Sequence, residues 1–284
     1  MAIFTNQAFL TYNNVTTSSN IATGELVEVL SATKTAVVDS YTAGDRVAYV
    51  ISILNTGGNA FTNLTVTDDL GGYEFSGGTL YPLSYVENSV KYYVDGVLQT
   101  APAVTAGPPL VFTGISVPAG GNAILVYEAL TNQFAPPVTD GEITNTVTVC
   151  GTGVITPVVA TETITAAAEP ELAISKSITP GTVTENSRVT YTFVIQNFGN
   201  TDAVATDDAV LRDTFDPILS DITVAFNGEA WREGTEYTYN EATGVFATVA
   251  GQITVPAATY AQDPATGVWT ATPGTVVLTV TGTI

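Results

Sequence analysis

KTAVVDSYTAGDRVAYVISILNTG, residues 34–57, decides the fold, because KSITPGTVTENSRVTYTFVIQNFG, residues 176–199, repeats it without a gap. The two starts differ by 142 residues (176 − 34), and the alignment sets Lys34 on Lys176, Arg46 on Arg188, Tyr49 on Tyr191, Asn55 on Asn197 and Gly57 on Gly199. In each copy the run after the arginine, RVAYVISIL at 46–54 and RVTYTFVIQ at 188–196, is rich in β-branched and aromatic residues and bounded by turn formers, which reads as a strand. The register carries outward to Val66-Thr67-Asp68 on Leu211-Arg212-Asp213, and to Val117-Pro118-Ala119 on Val255-Pro256-Ala257. Two copies of a β-rich unit predict an all-β chain of two tandem domains.

The rest of the chain agrees. Short alternating runs are punctuated by Gly, Pro, Asn and Asp; Asp95-Gly96 and Asn227-Gly228 sit between strand-like runs as hairpin turns, and no helical pattern emerges. Of the 284 residues 45% are apolar, enough for real cores, and only 12% are charged. The net charge of −20 argues against nucleic acid or an anionic membrane as partner. No apolar run approaches the ~18 residues of a membrane span, and no basic-then-apolar leader is visible at the N-terminus. The chain has no His and a single cysteine, Cys150, which excludes intrachain disulfides, the usual zinc sites and His-based triads. Cys150 reads as a small strand residue, or else as a site of intermolecular pairing. The Asp68-Asp69, Asp207-Asp208 and Asp213-x-x-Asp216 groups lack the ordered ligand spacing of a calcium loop and read as solvated turns. Tyr81, Tyr85, Tyr92 and Tyr93 cluster near one hairpin, as core packing or as a ligand face. No enzyme, cofactor or metal is expected.

Domain 1, residues 25–168, runs on past 124–130 into two further strand-like runs, ITNTVTVCG and VVATETIT, whereas domain 2, residues 169–284, stops straight after the counterpart of 124–130. Domain 2 is therefore expected to lack its last two strands and to be open on a hydrophobic edge. The missing piece is expected in the N-terminal arm, residues 1–24. FTNQAFL at 4–10 aligns on ITNTVTV at 143–149, and Ala22-Thr23 on Ala160-Thr161 with one residue of slippage. Phe4, Ala8, Leu10 and Tyr12 alternate as a donor strand requires.

These residues resemble the bacterial surface-repeat family catalogued as domain of unknown function 11. The resemblance rests on Lys34, Gly44 to Tyr49, Asn55, Gly57, Val66-Thr67-Asp68 and the closing Asn145-Thr146-Val147-Thr148-Val149; the second copy carries Lys176, Tyr191, Asn197, Gly199 and Asp213, has Asn186 in place of the glycine and lacks the closing Asn. It implies immunoglobulin-like β-sandwiches in cell-surface or extracellular polymers, without catalytic turnover.

Strand parity singles out one constellation. Lys34 shares a face with Leu30, Ala32 and Ala36; Lys176 with Leu172 and Ile174; Asp68 with Leu64 and Val66; Asp213 with Leu211 and Phe215; Asn145 with Ile143, Val147 and Val149; Asn6 with Phe4, Ala8 and Leu10. Polar groups aimed into a core are costly unless they satisfy one another. The set is similar to the self-forming isopeptide bonds of Gram-positive adhesins and pilins of the collagen-adhesin type, where a first-strand Lys attacks the amide of a last-strand Asn beside a buried acid. On that resemblance Lys34, Asn145 and Asp68 serve domain 1, while Lys176 and Asp213 serve domain 2 with Asn6 from an arm. The alternative has each Lys snorkelling from a strand end and the Asp and Asn residues binding turns and backbone. The expected function is a structural subunit of an extracellular or surface filament. It would polymerise with itself head to tail, each arm completing domain 2 of its neighbour. A monomeric surface adhesin or carbohydrate-binding module is the other reading.

Overall fold

A computed structural model describes residues 2–284. Among them every regular element is a strand except one 3₁₀ turn, Ala205–Asp207. The chain forms two β-sandwiches, each with its own buried core.

In the first sandwich one sheet runs in the order Val97–Leu98, Lys91–Val94, Asn122–Thr131, Arg46–Asn55, Leu30–Ala36. The facing sheet runs Ala103–Thr105, Leu110–Val117, Phe61–Asp68, Glu142–Cys150, Val158–Ala166, Ser40–Tyr41. Alternate residues of each long strand, such as Val47, Tyr49, Ile51 and Ile53, meet between the sheets. The two hairpin dipeptides lie where the sequence puts them: Asp95 and Gly96 have φ 47° and 78°, Asn227 and Gly228 φ 49° and 86°, the mirror-image turn that matches strand twist. Gly44 and its counterpart Asn186 both take a left-handed φ, 86° and 62°, so the Gly-to-Asn exchange between copies keeps the turn. The four tyrosines line core and strand surface; Tyr92 is buried and its hydroxyl bonds both N and O of Ser116.

Asn55, matched in the repeat without an evident task, is a buried clamp. Its Nδ2 donates to Asn59 O at 2.8 Å and Pro118 O at 2.7 Å, and its Oδ1 accepts from Gly57 N at 2.9 Å. Asn197 repeats the scheme with Thr201 O, Val255 O and Gly199 N. Asn55→Ala is expected to lower the stability of the first sandwich by about 3 kcal/mol, roughly one per lost bond. A urea titration unmoved by the change would remove the clamp from the account.

The second sandwich is thinner. One sheet runs Leu172–Thr179, Arg188–Asn197, Gly274–Thr283, Ser220–Phe226, Glu229–Trp231, but the facing sheet has only Arg212–Thr214, Val245–Thr248 and Tyr237–Asn240. An inserted hairpin, Thr259–Gln262 with Trp269–Thr272, reaches back to the first sandwich. There Gln262 Nε2 donates to the Tyr73 hydroxyl at 2.9 Å and Trp269 N to Gln133 O at 3.1 Å.

The arm is a long hairpin, Ala2–Asn6 on Ala22–Leu26 and Phe9–Tyr12 on Val15–Ser18. The register of its return strand corrects the sequence alignment. Ala160 lies opposite Val147, but Ala22 lies opposite Asn6 and not Ala8, the counterpart of Val147. The ladder breaks at Gln7-Ala8, where Gln7 Nε2 and Ala8 N both bond Ser19, and that interruption shifts the pairing.

Candidate functional site

In the first sandwich the structure brings all three singled-out side chains into one buried cluster. Lys34, on the edge strand Leu30–Ala36, is covered on its inner face by the Val158–Ala166 strand across the sandwich. Its Nζ reaches Asp68 Oδ2 at 2.7 Å, and neither side chain is exposed. Asp68 Oδ1 accepts from Leu70 N at 3.0 Å, so part of its role is the turn contact that the alternative reading assigned it. Asn145, fully buried on the neighbouring strand, does not touch the acid through a hydrogen bond; its Nδ2 donates to the Tyr127 hydroxyl at 3.2 Å, and that hydroxyl donates to Asp68 Oδ2 at 2.5 Å. Asn145 Oδ1 is buried without a hydrogen-bond partner among the described residues.

Burial pushes the Lys34 ammonium below its ordinary range, opposed by the attraction of Asp68. Burial and then the Asp68 charge push the Tyr127 hydroxyl well above the phenol range. Tyr49 stacks on Tyr127 with ring centroids 5.6 Å apart, and Lys34 Nζ sits 5.0 Å from the Tyr49 ring centroid. Sequence reasoning missed Tyr127 and named Tyr49 only as a repeat-matched residue, without a place in the cluster. Their inward parity in RVAYVISIL and AILVYEAL was visible, but an inward tyrosine reads first as core.

The second sandwich holds the matching pair in another environment. Lys176 bonds Asp213 and lies over the Tyr191, Phe193 and Phe215 rings. Its side chain is nevertheless 40% exposed, which corrects the expectation of a core-facing lysine. The cause is topological. In the first sandwich the Asp68 strand is flanked by Leu110–Val117 on one side and Glu142–Cys150 on the other. Its counterpart Arg212–Thr214 pairs only with Val245–Thr248, and among the described residues nothing occupies the other flank. The whole Leu172–Thr179 strand is left exposed on both faces. Leu172, Ile174, Ile195, Leu211 and Ile253 line an apolar cleft there.

Asn6 lies on the arm, away from both clusters, and its donor-strand neighbours are uncovered: Phe4 is 60% exposed, Leu10 64% and Tyr12 58%. Among the described residues no group of acidic or thiol side chains could hold a metal, and no helix is long and apolar enough to cross a membrane. Cys150 is a free thiol, half-buried on the Asn145 strand.

The chain matches no protein-family profile, that of the surface-repeat family included, and no curated protein. Among solved structures it is similar to the 35 kDa C-terminal fragment of the major pilin of Streptococcus agalactiae, with 11% identity, 81% of this chain and 79% of that one covered, and a TM-score of 0.36. For the pilus backbone protein of Streptococcus pneumoniae the figures are 13%, 86%, 55% and 0.34. For a family 123 glycoside hydrolase of Clostridium perfringens they are 11%, 49%, 27% and 0.31, so the chain spans about a quarter of that enzyme.

Proposed function

We propose that this chain is the structural subunit of a homopolymeric surface filament, in which the hairpin arm of one copy fills the cleft and free sheet edge of the second sandwich in the next. A single correspondence carries the reading. The first sandwich seats an Asn-bearing strand pair beside Asp68, the second has a vacant flank beside Asp213, and the arm is an Asn-bearing strand pair with its apolar side chains uncovered. Strand addition would satisfy the open edge and bury Phe4, Leu10 and Tyr12 over Leu172 and Ile174.

Geometry favours exchange between copies. Residues 27–29 alone separate the arm from the first strand, which begins at the pole where Leu30 pairs Asn55. The second sandwich leaves from the opposite pole, after Ala166 beside Tyr41. So short a connector does not bring the arm the length of the first sandwich, at ~3.4 Å per residue, and still feed Leu30. Within this reading Lys34 and Asn145, with Asp68, form an internal isopeptide cross-link. Lys176 with Asp213 then awaits Asn6 of the neighbour. Purified chain is expected to elute as polymers and to show filaments in negative stain. A homogeneous monomer at high concentration would instead favour a solitary surface-binding module.

A further inference from the structure

Of the two tyrosines that the cross-link chemistry above leaves idle in the Lys34 cluster, Tyr127 is the one hydrogen-bonded to both Asp68 and Asn145. Asp68, the acid, has no hydrogen bond to Asn145 among the described residues; the Tyr127 hydroxyl stands between them, donating to the acid and accepting from the amide nitrogen. We infer that Tyr127 is the proton relay of this site, carrying a proton from Asp68 to the departing nitrogen of Asn145. The inference rests on the cross-link reading of the same residues and adds a catalytic residue to it.

The Lys34 ammonium yields one proton to Asp68 across their 2.7 Å contact, leaving a neutral amine. The amine lone pair forms the new bond to Asn145 Cγ, whose oxygen, unpartnered in the folded chain, takes the displaced electron pair. An amide nitrogen has no basic lone pair, but in this tetrahedral intermediate Nδ2 gains one, and the hydrogen bond to Tyr127 reverses. Tyr127 then gives its proton to Nδ2 and is reprotonated by Asp68. The C–Nδ2 bond breaks, ammonia leaves, and the second proton shed by the Lys34 nitrogen returns to Asp68. Of the two protons lost by Lys34, one departs in ammonia and one stays on a neutral Asp68, so no net charge is left in the core. Burial and the Asp68 charge keep the Tyr127 hydroxyl protonated until Nδ2 turns basic, and it donates only as Asp68 replaces its proton.

The second sandwich supplies an internal contrast. Tyr127 faces Tyr49 across its ladder, and at the same position Val280 faces Tyr191. No relay hydroxyl stands there, so an incoming Asn6 has to meet Asp213 directly.

The test uses full chain recovered unfolded from inclusion bodies in denaturant, its starting mass confirmed as unmodified, then refolded by dilution and followed by intact mass. Wild type is expected to lose roughly 17 Da as ammonia departs. Tyr127→Phe, which keeps the ring stacking, is expected to lose it about 100-fold more slowly, while any Lys176–Asn6 linkage forms at an unchanged rate. Equal rates of loss in the two chains would overturn the relay and leave the bond standing. Wild type at its unmodified mass would overturn both. Should Tyr127→Phe fail to refold, chain carrying fluorotyrosine at position 127 alone, whose hydroxyl is more acidic, takes its place. A changed rate then supports the relay, and an unchanged one overturns it.

Discussion

Chains lacking residues 1–22 are expected to stay monomeric at every concentration while the first sandwich keeps its fold. The first core draws on residues 30–166, none of them from the arm. On the proposed reading, what the deletion would remove is the assembly free energy. Three large side chains, Phe4, Leu10 and Tyr12, stand 58–64% exposed in the free arm, and burying each contributes ~1.5–3 kcal/mol. Ladder bonds along Arg212–Thr214 come on top, against the cost of immobilising the arm. A separate peptide of residues 1–26 should bind the truncated chain and cap it without extending it. Size exclusion and negative stain read both results, and filaments of normal appearance from the truncated chain would refute the donor role.

Wild-type filaments boiled in detergent should run as a ladder of covalent multimers. Lys176 and Asp213 are already in contact beside three aromatic rings, and the arm would bring Asn6 to them while excluding water. With water excluded, the amine and the amide would be held together without a competing nucleophile. Asn6→Ala is expected to collapse the ladder to monomer yet still allow heat-labile fibres, because it leaves Phe4, Leu10 and Tyr12 in place. If wild-type filaments dissolve to monomer, the junction is held by strand pairing alone and the Lys176–Asp213 pair is structural.

The inward direction of Lys34, Asp68 and Asn145 was legible because side chains alternate strictly along a strand, so an apolar neighbour two residues away fixes the face. Parity does not tell whether anything covers that face. Lys176 shares the parity of Lys34, yet its side chain is 40% exposed because, among the described residues, no strand pair covers it; comparing how the two copies end pointed to that opening, and parity did not. Tyr127 escaped for the opposite reason: its ring packs as core, and only the folded arrangement reveals where its hydroxyl points. The hairpin at residues 259–272 was missed because its two four-residue strands are joined by a six-residue loop without a two-residue turn signal. The break at Gln7-Ala8 likewise depends on a side-chain bond to Ser19 that alternation cannot show.

That hairpin bears on how a filament would deform. It crosses from the second sandwich to the first, with Gly267 set so close to Leu80 that an added Cβ would sit 2.2 Å from Leu80 Cδ1, and Asn200 adds bonds to Pro137 O and Ala167 O beside the linker. Bending or twisting within a subunit therefore has to break this bracket. Between subunits of the proposed filament the load would pass through residues 27–29, and among the described residues the pole above them, built around Gly57, Gly120 and Gly121, carries no such insertion. The polymer would then flex as a chain of stiff two-domain links with compliance gathered at regular joints, rather than as a uniformly elastic rod.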